Sequence, residues 1–335
     1  MTRLRISIVQ YLNTAPLVRG FTHGPLQGKY DLSFTVPSQC AEALRTRAAD
    51  VAIIPAIEYQ RIVSPDMGLT ILPDLAIASK ERVRSLLLLS KVPIRQARRI
   101  ALDRSSRSTQ ALVKILCARR WQLAPEFHEA DPDPAAMLAS ADAALVIGDA
   151  ALRIAIAAET HLMRGPDGEW LTPTAVLAGS LLATLSDSLV VAQHAGSAEL
   201  REASALPRVA LPATDSIHIY DVVKEWWHLT EKPAVLAVWA ARTELVTPEL
   251  VADFLASRDF GLRHIPEICA EAAQQMQLPE KELRLYLEKN IDYTLDDENL
   301  QGLLSFFHHS HALGLIGPLH PISIAPRPAA AARLP

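Results

Sequence analysis

The hydrophobic positions of the chain fall into short buried runs that alternate with helical segments. The first run, residues 4–9, alternates apolar and polar side chains as a strand does, and Pro16 fits the first turn of the helix that follows. The pattern predicts further strands at 32–36, 49–54, 71–78 and 83–89. Strands that alternate with helices are typical of an α/β fold.

A second set of runs repeats this order. Residues 100–102 predict a strand, a helix follows from about Ser106, and residues 141–147 predict another strand. An Ala-Asp pair opens the compared strand in each set, at Asp50 and at Asp142. We therefore expect two α/β lobes of similar build with a ligand cleft between them. The alternative is a chance similarity between two buried strands.

The later part of the chain is mainly helical. Residues 222–227 carry an apolar stripe at helical spacing, and residues 233–241 predict a buried strand that returns to the first lobe. Helices are expected from Pro248 to Leu315, and the Pro- and Ala-rich residues 321–335 are expected to form a disordered tail.

Composition narrows the class of protein. The chain has 335 residues, 50% of them hydrophobic, and a formal net charge of −4, which argues against a nucleic-acid-binding protein. Its three cysteines lie far apart, so packed thiols are expected rather than disulfides or a zinc site. No signal peptide opens the chain, and the apolar stretch 171–191 contains polar residues. We therefore expect a cytoplasmic protein without a membrane span.

The strongest candidate for ligand binding is the segment 103–109, which joins a predicted strand to a predicted helix. It is rich in hydroxyls, carries Arg107 and contains no glycine. The unpaired amides of a helix N-terminus, these hydroxyls and a guanidinium could together hold a carboxylate. The alternative is an ordinary capped helix with exposed arginines.

Two further loops follow predicted strands at their carboxyl ends, where ligands bind in open α/β sheets. One loop holds Tyr11 and Asn13, and the other holds Gly148 and Asp149. Asn13 and Asp149 could instead cap the helices that follow them. The histidines at 308–311 have no acidic or cysteine partner nearby in sequence, so an exposed helix face is favoured over a metal site.

Short motifs in a fixed order carry a family resemblance. They are Tyr-Leu-Asn-Thr-Ala-Pro-Leu at 11–17, Asp-Val-Ala-Ile-Ile-Pro at 50–55, Val-Arg-Ser-Leu-Leu-Leu-Leu-Ser at 83–90, Asp-Arg-Ser-Ser-Arg-Ser-Thr at 103–109, Ile-Gly-Asp-Ala-Ala-Leu at 147–152 and Tyr-Asp-Val-Val-Lys-Glu-Trp-Trp at 220–227. Together they resemble the chorismate dehydratases, which open the futalosine route to menaquinone. The resemblance covers about 1–155 and 217–316.

The resemblance implies the two-lobed α/β fold of type II periplasmic binding proteins. Lobe 1 would comprise 1–86 and 236–320, and lobe 2 would comprise 87–235. The segment from about 156 to 216 is longer than its counterpart in the family, so it is expected to be an insertion in lobe 2.

The implied activity is that of a hydro-lyase, which removes water from chorismate to give 3-[(1-carboxyvinyl)oxy]benzoate without a metal or an organic cofactor. On the resemblance we expect Asn13 and Asp149 to be catalytic. The substrate-binding residues are expected to be Tyr11, Ser38, Ile57, Arg84, Ser85, Ser105, Ser106, Arg107, Ser108, Thr109 and Gly148. The expected partner is this small molecule, with no nucleic acid and no membrane, and the chain is expected to be a monomer or a homodimer.

Some alternatives stay open at this point. The general base could be Asp149, Glu58 or the enolpyruvyl carboxylate of the substrate, because no histidine falls in the motifs. The protein could also be the related lyase that acts on cyclic dehypoxanthine futalosine, or a non-catalytic cytoplasmic ligand sensor. The match at 103–109 favours the dehydratase over that lyase.

Overall fold

The computed structural model describes residues 3–159, 163–164, 170–173 and 216–328. Most of the expected insertion, most of the apolar stretch 171–191 and residues 329–335 lie outside these ranges. Among the helices that fall within the described ranges, none combines the length and the apolar character that a membrane span requires.

The strands confirm the alternation predicted from the sequence, with ends that differ by a few residues. They are β1 (Arg5–Val9), β2 (Asp31–Thr35), β3 (Val51–Pro55), β4 (Leu69–Ser79), β5 (Leu86–Ser90), β6 (Arg99–Asp103), β7 (Glu126–Ala130), β8 (Ala143–Ile147), β9 (Met163–Arg164), β10 (Trp170–Pro173), β11 (Ser216–Asp221) and β12 (Ala234–Arg242).

The helices begin where the sequence provides starting signals. Proline occupies the first turn of α1, α2 and α8, where its missing N–H leaves no helical bond unmade. The helices are α1 (Ala15–Thr22), α2 (Pro37–Arg45), α3 (Ala56–Ile62), α4 (Arg107–Leu116), α5 (Pro134–Ser140), α6 (Gly148–Glu159), α7 (Val222–Thr230), α8 (Pro248–Arg263), α9 (Ile265–Met276), α10 (Glu280–Leu285) and α11 (Asp297–Ala312).

The first sheet has the strand order β2-β1-β3-β12-β4. Strand β1 pairs in parallel with β2 and β3, and β12 runs antiparallel to β3 and β4. Because β1, β2 and β3 are parallel, their carboxyl ends lie at one edge of the sheet. Each end leads into a helix, so this edge, which we call the carboxyl edge, gathers the loops before α1, α2 and α3.

The second sheet has the order β7-β6-β8-β5-β11-β10-β9. Its core repeats the arrangement of the first sheet, because β6 pairs in parallel with β7 and β8 while β5 runs antiparallel to β8. The two aspartates that suggested the repeat also bond alike. The backbone N–H of Arg5 donates to Asp50 Oδ2 (2.9 Å), and that of Arg99 donates to Asp142 Oδ2 (3.0 Å). The predicted similarity of the two sheets is therefore confirmed.

The chain forms two compact units. The first comprises Met1–Val83, Ser105–Leu116 and Val223–Pro335, and the second comprises Arg84–Arg104 and Cys117–Val222. Helix α4 thus groups with the first unit, and that unit resumes at Val223, the second residue of α7. The lobe boundaries expected from the family resemblance stay a prediction.

The expectation of a disordered tail from residue 321 is wrong for residues 321–328. The N–H of Ile71 in β4 donates to the carbonyl of Ser323 (2.8 Å), and the N–H of Ala325 donates to the carbonyl of Ile71 (2.9 Å). Ala325 is 4% exposed. A Pro-rich composition predicts poor local structure, but here β4 supplies the hydrogen-bond partners that fix the segment.

Helices α1 and α8 pack at unusually short range in the first unit. A Cβ placed on Gly261 in α8 would lie 1.9 Å from the carbonyl oxygen of Pro16, so only glycine fits there. The Ser257 hydroxyl donates to the carbonyl of Leu17 (2.8 Å). This contact fixes the start of α1 and, with it, the turn that carries Asn13.

Candidate functional site

Two helix N-termini of the first unit, those of α2 and α3, are bonded to the segment Ser105–Ser108 at the start of α4. The backbone N–H of Ser38 in α2 donates to the carbonyl of Ser105 (3.1 Å). The N–H of Ile57 in α3 donates to the Ser108 hydroxyl (3.1 Å). These bonds bring together substrate-binding residues that were predicted from three separate stretches of sequence.

Considering the residues that the structure describes, the first amides of α4 are available to a ligand. The first helical hydrogen bond of α4 joins the N–H of Gln110 to the carbonyl of Ser106 (3.2 Å). The N–H groups of residues 107–109 precede this bond, so they have no helical partner. The Ser106 hydroxyl donates to Thr109 Oγ1 (2.7 Å). The start of α4 has the hydroxyls, the guanidinium and the helix N-terminus from which anion binding was predicted, and that role stays a prediction.

Asn13 lies at the carboxyl edge, directly after β1. It sits in a short 3₁₀ turn, Leu12–Thr14, which the bond from the N–H of Thr14 to the carbonyl of Tyr11 closes (3.0 Å). Asn13 is 8% exposed, and no side chain caps α1. Within the described residues, its side chain has one hydrogen bond, accepted by Oδ1 from the Thr14 hydroxyl (3.4 Å). Its amide N–H groups therefore remain as donors for a ligand.

Arg107 is held by a buried carboxylate. Its Nη1 lies 2.8 Å from Glu58 Oε2, and its side chain is 31% exposed, whereas that of Glu58 is fully buried. Arg45 and Arg61 also pair with Glu58, at 2.8 Å and 2.9 Å. Sequence reasoning missed both of these arginines. The i,i+3 spacing of Glu58 and Arg61 was a signal for one pair, but nothing local pointed to Arg45.

The second unit holds the remaining predicted residues. Strand β5 pairs with β8 so that Leu86 lies opposite Ile147, which places Ser85 beside Gly148. The N–H of Gly148 donates to the carbonyl of Ser85 (2.8 Å). Gly148 has a φ of +66°, a conformation that glycine adopts easily, and the chain then enters α6 with Asp149 in its first turn. Asp149 is half-buried.

Arg84 is almost fully buried, whereas an arginine that binds substrate at an open edge would be partly exposed. It is 1% exposed, and its Nη2 lies 2.6 Å from Glu159 Oε2. Its backbone N–H donates to Asp221 Oδ2 (2.7 Å). These contacts give Arg84 a structural role within the second unit, and its expected contact with substrate stays a prediction.

The cysteines are buried, free thiols, as the sequence predicts. Burial raises the pKa of Cys40 and Cys269 to about 11 and the pKa of Cys117 to about 12, so these thiols stay protonated at neutral pH. In the part of the chain that the structure describes, no three His, Cys, Asp or Glu side chains cluster as a metal site would require.

Solved structures similar to this chain define its class of fold. A protein from Archaeoglobus fulgidus (AF1704) matches with a TM-score of 0.63 and 16% identity, covering 93% of this chain and 98% of that one. The alkanesulfonate-binding protein SsuA from Xanthomonas axonopodis, bound to MOPS, matches with a TM-score of 0.58 and 14% identity, over 95% of each chain. The periplasmic aliphatic sulphonate binding protein SsuA from Escherichia coli matches with a TM-score of 0.54 and 14% identity, over 95% of this chain and 94% of that one. The chain has the two-lobed fold of periplasmic binding proteins.

Sequence comparison assigns the family. A family model described as "Menaquinone biosynthesis" matches residues 4–164 and 204–312, and the chain belongs to that family. A curated relative, the chorismate dehydratase of Thermus thermophilus, is 24% identical over 311 residues. The alignment covers 92% of this chain and 95% of the relative.

Proposed function

We propose that the protein is a chorismate dehydratase, which removes water from chorismate to give 3-[(1-carboxyvinyl)oxy]benzoate. The observation that carries the proposal is the similarity to the Thermus thermophilus chorismate dehydratase along nearly the whole of both chains. The start of α4, which is bonded to the first residues of α2 and α3, supports it, because Arg107 and the first amides of α4 suit a carboxylate, and chorismate has two. Cytoplasmic location and a monomeric or dimeric state belong to the same proposal.

The reaction is a lyase reaction that balances without another reactant. The ring carbon that bears the enolpyruvyl ether loses a proton, and the C–H electron pair becomes a ring double bond. The C–O bond to the neighbouring hydroxyl breaks, and that oxygen leaves as water with the proton. The ring becomes aromatic, which drives the elimination. No electrons are gained or lost overall, so the chemistry needs orientation and one proton transfer.

The described residues suggest a division of roles. Arg107 and the amides at the start of α4 would bind one substrate carboxylate. Asn13 would donate a side-chain N–H to the leaving hydroxyl or to a carboxylate, because that group has no other acceptor among the described residues. Ser85, Gly148 and Asp149 lie together in the second unit, and their expected part in binding or catalysis stays a prediction.

The position of Glu58 bears on which group acts as the general base. Its carboxylate is fully buried and accepts from three guanidinium groups, an arrangement that favours a structural role over contact with a bound substrate. Asp149 remains as the protein candidate, and the enolpyruvyl carboxylate of the substrate is the alternative. Asp149→Asn separates the two: lost turnover with unchanged affinity identifies Asp149 as the base, and retained turnover favours the substrate carboxylate.

The direct test is incubation of the purified protein with chorismate, followed by product analysis by mass spectrometry and ultraviolet absorbance. We expect loss of 18 mass units, the mass of one water, and the appearance of a substituted benzoate. The matched negative control is the Asn13→Ala variant. Unchanged chorismate in the presence of folded protein contradicts the proposal.

A further inference from the structure

The buried carboxylate of Glu58 links three helices of the first unit. Arg45 from α2, Arg61 from α3 and Arg107 from α4 each place a guanidinium nitrogen within 2.9 Å of it. The Glu58 side chain is 0% exposed, whereas the arginine side chains are 31–40% exposed. The Glu58 carboxylate therefore pairs with three partly exposed guanidinium groups at once.

The charges of this cluster do not balance. Within the described residues, Glu42 is the other acidic side chain paired with the cluster, at 3.6 Å from Arg45. Three guanidinium groups thus face two carboxylates, and the cluster keeps an excess of positive charge. Burying a carboxylate requires a cation and hydrogen bonds, but it does not require three cations. The excess is suited to attract an anionic ligand.

The three arginines differ in how many of their donors are used. Arg61 also donates from Nη2 to the carbonyl of Leu315 (3.1 Å), and Arg45 has its second contact with Glu42. Arg107 bonds through Nη1 to Glu58 alone, considering the described residues. A guanidinium has five N–H donors in a fixed plane, so Arg107 keeps Nε and Nη2 for a second, bidentate partner.

We propose that Glu58 is a positioning residue for substrate binding: it holds Arg107 through Nη1, so that the other edge of the guanidinium receives a carboxylate of the substrate. This inference rests on the proposed function. It predicts that loss of Glu58 weakens substrate binding through Arg107, while the chemical step, which Arg107 does not perform, keeps its rate. An unanchored arginine samples several rotamers and loses affinity when it must be ordered.

The test compares Glu58→Gln with Asp50→Asn in steady-state kinetics with chorismate. Asp50 is the matched control because it is a buried carboxylate of the same unit that also pairs with two arginines, Arg5 and Arg242. It precedes β3, whereas Glu58 follows that strand, so it lies away from the carboxyl edge. We expect Glu58→Gln to raise KM about tenfold with kcat within about twofold. Asp50→Asn should lower the melting temperature and leave KM unchanged.

A double-mutant cycle identifies the route of the effect. Glu58→Gln should raise KM no further in an Arg107→Ala background, because Arg107 carries the effect. Independent multiplication of the two KM effects overturns the inference. So does a Glu58→Gln variant that is less stable but has the wild-type KM, since that result is what a purely structural ion pair predicts.

Two further experiments distinguish a failure of the inference from a folding defect and from a failure of the proposed function. Glu58→Asp retains the charge on a side chain one methylene shorter, and it replaces Glu58→Gln in the same cycle if the amide variant does not fold. If the wild-type protein binds chorismate without converting it, the proposed function fails. In that case the double-mutant cycle is measured with the Kd for chorismate in place of KM. An unchanged Kd in the Glu58 variant overturns the positioning role.

Discussion

Gly261→Ala tests whether the close approach of α1 and α8 is fixed by packing. An added Cβ would lie 1.9 Å from the carbonyl oxygen of Pro16, and real Cβ atoms almost never approach another heavy atom within 3.0 Å. The two helices would therefore have to separate locally by about 1.1 Å. The atom in the way belongs to the main chain, so no side-chain rotation relieves the clash.

The expected magnitude combines two opposing effects. Alanine is a better helix former than glycine by about 1 kcal/mol, which favours the variant. Overpacking a well-packed core costs about 1–3 kcal/mol, and a clash with main-chain atoms belongs at the upper end of that range. The net expectation is a decrease of about 2 kcal/mol in the free energy of unfolding.

The assay is urea unfolding followed by far-ultraviolet circular dichroism. Gly317→Ala is the control, since a Cβ at that position meets nothing within 4 Å, and we expect a change within about 0.5 kcal/mol. A Gly261→Ala protein as stable as the wild type, or more stable, refutes the reasoning, because helix propensity would then outweigh the clash. Displacement of Pro16 should also lower kcat/KM, because Asn13 lies three residues before it.

Three further predictions concern the candidate site, an ion pair and the C-terminal segment. Asn13→Ala should lower kcat/KM about 100-fold with little change in melting temperature, because the Asn13 side chain has one long hydrogen bond within the described residues; an effect below fivefold would argue against its role. The hydrogen bond from Arg5 lowers the pKa of Asp50, so this carboxylate stabilises the fold above the unfolded pKa of about 4 and loses that contribution as pH falls through its folded pKa. Asp50→Asn should therefore cost about 2 kcal/mol at pH 7 and distinctly less near pH 3 in urea unfolding, whereas an equal loss at both pH values contradicts the ion-pair argument. Truncation after His320 should lower the melting temperature, because it removes two hydrogen bonds to Ile71; a disordered tail would leave that temperature unchanged.

The sequence by itself determined which segments become strands and helices. Continuous apolar runs such as 51–54 and 143–147 specify buried strands, because a short run of apolar residues is buried on both faces of a sheet. The Ala-Asp openings at Asp50 and Asp142 even indicated that the two sheets share an arrangement, which their pairing confirms. The start of α4 after the hydroxyl-rich segment was also predictable, since proline and hydroxyl residues mark helix starts locally.

The tertiary structure decided which of these segments meet. Helix α4 groups with the first unit although β6, immediately before it, belongs to the second. Arg45 and Arg107 lie far apart in sequence, yet both pair with Glu58. Residues 321–328 are ordered through β4 despite a composition typical of a tail. Local periodicity determines burial and secondary structure. An ion pair or a backbone hydrogen bond between distant segments depends instead on how the elements pack. No local pattern in a single sequence specifies that pairing.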